Sequence, residues 1–273
     1  MSKNWKRKIQ VIFDTRAVTL DDFDIAFMYS FNVDEEPNEI EVEIKNLSRT
    51  TINSYIGKDK QLIVNAGYEG DVGNIAKGYI IDTDTGWNNV DKDTHILGFD
   101  ASEDYLNKKV MKTYKAGTMA LSIVRDICSM SGLAIGEVVL KKNVQYTRGL
   151  SVTGRIRDIL KEIIVNDCET NLQIKNGTII IRDIGQGVES GFILSSNTGL
   201  IGSPEPITDV DDTIPAEKRP DYSVRCLLNY KIGPMSKIKI KSKVLEANAI
   251  VISGKHLGSK DGAFETQMEV KLV

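Results

Sequence analysis

Histidine is scarce in this 273-residue chain, with only two, His95 and His256. Any Ser–His–Asp or Cys–His chemistry must therefore use one of them. His95 lies in "THILGF", an alternating strand pattern. His256 lies before "GSKDGA" and reads as the shoulder of a hairpin. Ser259 and Asp261 are close to it in sequence, but a tight turn does not by itself fix the mutual geometry of a triad. Cysteine is nearly as scarce. Cys128, Cys168 and Cys226 are three in number and scattered, with no CxxC or metal-ligand spacing. They read as buried thiols in a chain made in a reducing cytoplasm. HExxH, GxSxG and a Walker loop are all missing. No apolar run is long enough to cross a bilayer, which argues against membrane anchoring. The basic start "MSKNWKRKIQVIFD" is not followed by the apolar stretch of a signal peptide. These absences point away from an enzyme: no catalytic, metal-binding or cofactor-binding residue is assigned, and no cofactor is expected.

Calcium loops are incomplete as well. "DTDTGWNNVDKD" lacks the glycine at loop position 6, and neither it nor "DVDD" has the final bidentate glutamate. The glycine clusters "GYEGDVGN", "GKHLGSKDG" and "GQG" read as turns between strands, and none leads directly into a helix N-terminus that could cradle phosphate.

What is present is ordinary globular composition, 41% hydrophobic and 27% charged, in a chain long enough for two or three compact units. Charge is unevenly spread. Residues 1–108 hold 12 basic and 20 acidic side chains, 109–184 hold 12 and 7, and 185–273 hold 11 of each. Such contrast suggests separate modules.

The first segment has the period of strands. Ile9, Val11 and Phe13 share a face in "KIQVIFD", as do Ile25, Phe27, Tyr29, Phe31 and Val33 in "DIAFMYSFNV". In "NEIEVEIKNL", Ile40, Val42 and Ile44 alternate with Glu39, Glu41 and Glu43, giving a half-buried strand with an acidic outer face. "SRTTINSYI" reads as a short helix capped by Ser48. "KQLIVNAGYEG", "NIAKGYIIDTDTG" and "DTHILGFDAS" are three more strands. Several strands and one helix in about a hundred residues suggest a barrel or sandwich.

The middle segment changes period. "GTMALSIVRDICSMSGL" places Met119, Ile123, Ile127 and Met130 along one stripe, with Leu121, Val124 and Cys128 beside it. Thr118 is the expected N-cap and Gly132 the expected C′ residue. "SVTGRIRDILKEIIVNDC" turns Ile156, Ile159, Leu160, Ile163 and Ile164 inward. "LQIKNGTIIIRDIG" is a hairpin with a type I′ turn at Asn176-Gly177. "VRDI" and "IRDI" hint at a weak repeat. The segment reads as a small α+β domain.

A polar stretch at 203–221, rich in proline, is expected to form an exposed loop. "SVRCLLNYKI", "SKIKIKSKV", "ANAIVISGKHLG" and "AFETQMEVKLV" then return to strands. In "SKIKIKSKV", Lys237, Lys239, Lys241 and Lys243 share one face, with Ile238, Ile240 and Val244 on the other. The lysine row could follow a phosphate backbone, or it could be a solvated face or a guarded sheet edge. No aromatic residue interleaves with it, so specific nucleic-acid binding is not the favoured reading.

Several stretches together resemble the tail hub proteins of bacteriophage baseplates, a family similar to the base of type VI secretion spikes. "IEVEIKNLSRTTINSYIGKDKQLIVNAGYEGDVGNIAKGYIIDTDT" resembles the first domain. "YKAGTMALSIVRDICSMSGLAIG", "GLSVTGRIRDILKEI" and "LQIKNGTIIIRD" resemble the middle one. "NTGLIGSPEP", "VRCLLNYKIGPMSKIKI" and "VISGKHLGSKDGAFETQMEV" resemble the closing one. Each stretch is loose, and their order along residues 5–271 carries the likeness.

The resemblance implies a mainly β fold with an α+β middle. Two tube-type β-barrel domains, 1–108 and 191–273, would flank the small α+β domain at 109–190. It implies a homotrimer whose six barrels form a pseudo-sixfold ring, adapting a sixfold tail tube to a threefold spike and lining the DNA exit channel. The implied partners are the tail tube or tube-initiator protein, the central spike protein and the tape-measure protein, with genomic DNA passing transiently. The implied place is the virion tail baseplate of a contractile tail, the chain being made in the host cytoplasm. Glu39, Glu41 and Glu43 facing the channel would repel DNA phosphates, and the lysine row would then lie in a subunit interface or outside. The last strand is expected to complete the second barrel, leaving piercing or lysis to a partner. The competing reading is a stand-alone cell-wall or carbohydrate-binding β-rich module.

Overall fold

The computed structural model describes residues 6–101, 103–208 and 214–273. The chain is mainly β and divides into two compact units. The first contains Met1–Asn32, Glu39–Phe99 and Gly187–Val273, and the second Val33–Asn38 and Asp100–Gln186. The second unit thus starts ahead of residue 109 and also takes in the short segment that follows Asn32.

In the first unit, strands β1 (Arg7–Phe13), β2 (Arg16–Thr19), β3 (Ile25–Asn32) and β4 (Glu39–Lys45) precede helix α1 (Arg49–Tyr55). β5 (Gln61–Tyr68), β6 (Asp71–Asn88) and β7 (Asp91–Phe99) follow. The alternation read from sequence is obeyed: Ile9, Val11, Phe13, Ile25, Phe27, Tyr29, Phe31, Ile40, Val42 and Ile44 are all buried. The Ser48 hydroxyl accepts from the Thr51 N–H at 3.0 Å, the N-cap bond that starts α1.

The closing strands do not stand apart from these. Among the described residues, thirteen strands form one sheet, in which Glu246–Ser259 pairs with β3 across Ser253–Asn32 to Ser259–Ala26. The order runs Leu200–Pro206, Tyr222–Leu227, Phe264–Leu272, Glu246–Ser259, β3, β4, β7, β6, β5, β1, β2. Ser236–Lys241 pairs with the early part of Glu246–Ser259 and carries Val188–Leu194 in parallel on its other side. A bulge between Val251 and Ser253 lies where the long strand passes from one set of neighbours to the other. Ile250, Val251 and Ile252 are consecutive and all buried there, as the local break in alternation allows.

Two strand glycines are explained by close approach. A Cβ on Gly258 would sit 2.2 Å from the Phe27 ring, and one on Gly73 would sit 2.1 Å from the Tyr230 ring. The expectation that "GKHLGSKDG" and "GYEGDVGN" are simply turns is therefore corrected. Gly254 and Gly258 lie inside Glu246–Ser259, and Gly73 lies inside β6.

The second unit packs helix Ala120–Cys128 and helix Ile156–Lys161 around Ile123, Ile127, Ile156, Leu160 and Ile164. The second helix continues as a π-helix over Glu162–Asp167. Asn176 and Gly177 both have positive φ, 51° and 73°, as a type I′ turn requires. That turn joins Asn171–Lys175 to Thr178–Arg182, on which Ala134–Val138 pairs in parallel. Asn38 ties its segment to the unit: its N–H and Nδ2 donate to the two Asp100 carboxylate oxygens at 2.8 Å each, and Nδ2 also donates to the Ile174 carbonyl at 2.7 Å.

Four local expectations are corrected. The N-cap of Ala120–Cys128 is Met119, with no side-chain cap, because Thr118 is held in a two-residue strand and donates its hydroxyl to the Lys115 carbonyl at 2.7 Å. Ser129, not a residue next to Gly132, closes that helix; Gly132 takes its positive φ of 73° three residues later. The proline-rich stretch is not loop from its start, since Leu200–Pro206 is a strand and Ala216–Lys218 a 3-10 turn. Val244 does not continue the apolar face of Ile238 and Ile240. The strand ends at Lys241, and Val244 is exposed in the following turn. Of that proline-rich stretch, residues 209–213 lie outside the described residues.

Candidate functional site

A groove of about 430 Å³ lies on β3, β4, β7 and β6 in the first unit. It lies on the outer face because alternation sends Phe27, Val42 and Ile96 to the core and their neighbours outward. The ladders place the outer residues in rows. Glu43 pairs with Ala26 on one side and His95 on the other, and Glu41 pairs with Met28 and Leu97. Across β7, Asp84 pairs with His95 and Asp82 with Leu97. Two rows of carboxylates, Glu39, Glu41 and Glu43 on β4 and Asp82 and Asp84 on β6, thus flank a central row.

The field of this groove is negative. The only cation-capable side chain among its lining residues is His95, whose Nδ1 stands 3.8 Å from Glu43 Oε2. Partial desolvation first, and then the neighbouring Glu39, push the Glu41 carboxyl above the usual carboxylate range. The groove offers no nucleophile beside a base. Among the described residues, no group of three or more His, Cys, Asp and Glu side chains could hold a metal ion. What the arrangement can do is repel anions and attract cations.

The sequence offers Asp82 and Asp84 both as the end of the strand "NIAKGYIIDTDTG" and as part of an incomplete calcium loop, and gives them no site role. "DTDTGWNNVDKD" instead makes the end of β6, a hairpin tip and the start of β7. The period-two spacing of Asp82 and Asp84 within "IDTDTG" was the signal that they share a face with each other. "DVDD" lies outside the described residues.

His256 is not a hairpin shoulder. It is 2% exposed inside Glu246–Ser259, near the rings of Tyr29 and Phe31. Its Nε2 lies 3.1 Å from the Ile232 carbonyl, and since a carbonyl only accepts, that nitrogen carries the proton. Its Nδ1 lies 2.8 Å from Thr266 Oγ1. Ser259 instead serves its own turn, accepting from the Gly262 N–H at 2.9 Å. The three cysteines are free and buried, and burial pushes the Cys128 and Cys226 thiols up to about 12, where thiolate chemistry is suppressed.

The lysine row is largely neutralised in place. Lys237 pairs with Glu189 at 2.8 Å, and Lys239 and Lys241 share Glu246 at 3.6 and 4.0 Å.

No family model matches the sequence, and no curated protein sequence matches it. Solved structures do. The 43 kDa tail protein of prophage MuSo2 from Shewanella oneidensis is similar over 98% of this chain and 97% of its own, with a TM-score of 0.70 at 10% identity. The tail protein from Neisseria meningitidis MC58 gives the same coverage and identity with a TM-score of 0.67. The Escherichia coli c3393 protein, described as a type VI secretion component structurally similar to T4 tail proteins gp27 and gp5, matches 92% of this chain and 73% of its own, with a TM-score of 0.61 at 7% identity. The chain has the mainly β fold of phage tail proteins and of proteins related to type VI secretion spikes.

Proposed function

We propose that this chain is a structural hub of a phage or phage-like contractile tail, acting in the baseplate and not as an enzyme. The observation that carries the reading is a fold likeness running nearly end to end on both sides: 98% of this chain and 97% of each of two tail proteins. In this reading the strands from β1 to β7 and those from Val188 to Leu272 serve as two tube-type domains. Three chains supply six such domains, adapting a sixfold tube to a threefold spike. The partners are the tube or tube-initiator protein, the central spike protein and the tape-measure protein.

The acidic groove then faces the channel. Its paired rows of carboxylates keep DNA phosphates from adhering, so the genome slides through. Joint replacement Glu39→Lys, Glu41→Lys and Glu43→Lys leaves the ring assembled and slows DNA release from particles. Unchanged release kinetics would remove the groove from the channel. The hub reading itself is tested by quantitative mass spectrometry of purified particles. Three copies per tail are expected, six would mean a tube or distal-ring protein, and retention by cell wall as a monomer would favour a binding module.

A further inference from the structure

The first unit contains the same strand arrangement twice. β3, β4, β5, β6 and β7 follow one another in the chain and lie side by side as β3, β4, β7, β6, β5, every neighbouring pair antiparallel. Leu200–Pro206, Tyr222–Leu227, Ser236–Lys241, Glu246–Ser259 and Phe264–Leu272 also follow one another and lie in the same order, first, second, fifth, fourth, third, again all antiparallel. The registers agree as well. A bulge interrupts β6 on β7 between Ile80 and Asp82, and another interrupts Glu246–Ser259 on Phe264–Leu272 between Val251 and Ser253. Counted from those bulges, Thr85 opposite Thr94 is equivalent to His256 opposite Thr266, and Trp87 opposite Lys92 to Gly258 opposite Phe264. Thr94 and Thr266, matched by this count alone, are both fully buried.

The two equivalent strands differ in one respect. Ahead of its bulge each pairs within its own set of five, β6 with β5 and Glu246–Ser259 with Ser236–Lys241. After its bulge, Glu246–Ser259 takes β3 of the other set, from Ser253–Asn32 to Ser259–Ala26. There His256 is 2% exposed, and the Phe27 ring fills the space at Gly258. After its own bulge β6 has no ladder partner on this edge among the described residues; the last bonds there join Ile80 to Asp59 and Lys60. Thr85 is exposed, and Trp87 is 73% exposed. The strand equivalent to β3 is Leu200–Pro206. It pairs with Tyr222–Leu227, and its other edge also has no ladder partner among the described residues. Ile207 donates its N–H to the Asp221 carbonyl, so the alternation turns Pro206 to the open edge. Having no N–H, Pro206 guards that edge against indiscriminate pairing and leaves its carbonyl to accept from a strand that fits.

We propose that the open edge of β6 in one copy takes Leu200–Pro206 of a second copy, as Glu246–Ser259 takes β3 within one chain. Main-chain bonds between the two edges hold the contact, and the second copy covers Trp87, whose equivalent position is already covered inside the chain. The intrachain register carries over, so that Ser259 opposite Ala26 becomes Asn88 opposite Ile201 of the next copy. The contact joins two different edges, so it is heterologous and closes as a ring. For the size of that ring the inference rests on the trimeric hub reading: three junctions inside chains alternate with three between them.

Disulfide trapping tests it, because residues directly opposite in an antiparallel pair have Cα atoms within the span a disulfide bridges. Asn88→Cys and Ile201→Cys are placed in one chain, and the purified oligomer is oxidised, or assembled particles if the chain alone is a monomer. The three native thiols are buried and do not compete. Ala26→Cys with Ser259→Cys, the equivalent pair inside the chain, is the control for reactivity. The expected result is covalent species that stop at three chains, and none larger than one chain from either single variant. A control that links while Asn88→Cys and Ile201→Cys do not, or a link closed within one chain, overturns the contact. A ring of three without the link sinks the contact and leaves the hub, whereas links that close at another number sink the hub and leave the contact. Hydrogen exchange needs no substitution. The amides of β6 from Asp82 to Asn88 are expected to exchange at least about tenfold more slowly in the assembled form than in the free chain; unchanged exchange in a stable assembly would also overturn the proposal.

Discussion

At the residue scale, His256 is the instructive case. A histidine just before a glycine-containing turn invites a catalytic reading, and sequence alone could only weigh it down by the lack of companions. Burial decides the matter. Both ring nitrogens have buried partners, the Thr266 hydroxyl and the Ile232 carbonyl, and the residue itself is 2% exposed. His256→Ala removes a packed ring from beside Tyr29 and Phe31 and takes the imidazole donor from the Ile232 carbonyl, while the Thr266 hydroxyl keeps the Asn229 N–H. It is expected to cost about 2–4 kcal/mol in urea unfolding; a loss under about 0.5 kcal/mol would contradict a structural role. Glu41 makes the opposite kind of prediction. Its carboxyl titrates above the usual range in the fold, so its ionised form opposes folding. That opposition is present at neutral pH and disappears as pH falls through the raised value toward the ordinary one. Glu41→Gln is therefore expected to stabilise the fold slightly at pH 7, by about a few tenths of a kcal/mol because much of the side chain is in water, and so to raise Tm. The gain should vanish near pH 4. An equal gain at both pH values would assign it to something other than the carboxylate pair.

At the scale of elements, strand existence was legible because period-two alternation is a direct image of which face is buried. Ile9, Val11 and Phe13, and the run from Ile25 to Phe31, needed no tertiary information. The Asn176-Gly177 turn was legible for a similar reason, since positive φ at two successive positions selects those residues. Pairing between distant strands was not legible. Nothing in "ISGKHLG" names β3 as its neighbour, and the ladder from Ser253 to Ser259 joins parts of the chain more than two hundred residues apart. Gly258 records that meeting only after the fact, as the space that Phe27 occupies. Gly258→Ala is expected to cost about 1–3 kcal/mol through displacement of that ring. Gly57→Ala, where an added Cβ meets nothing within 4 Å, is the matched control and should stay within about 0.5 kcal/mol of wild type. Equal effects in thermal unfolding would show that the strand crossing is not what selects glycine at 258. The Thr118 cap failed for a related reason: a two-residue strand formed with Gln145–Tyr146 claimed it first.

At the scale of the whole molecule, the acidic groove was half legible. The alternation of Glu39, Glu41 and Glu43 with apolar residues gave one row of carboxylates, while Asp82 and Asp84 joined them only through the register of β6 on β7. The exposure of Trp87 near the tip of the β6–β7 hairpin was hidden in the same way, because "DTDTGWNNVDKD" carries no sign of where the neighbouring strands stop. The proposed function rests in the sequence only on the order of loose motifs along the chain, and the fold likeness to tail proteins supports that reading independently of any single motif. The central claim is one of symmetry. Electron microscopy of the particle that carries this chain, with density at the end of the tail tube resolved without imposed symmetry, tests it most directly. The account predicts a threefold ring of three chains between tube and spike; six equivalent copies around the axis, or no density at the tube's end, would contradict it.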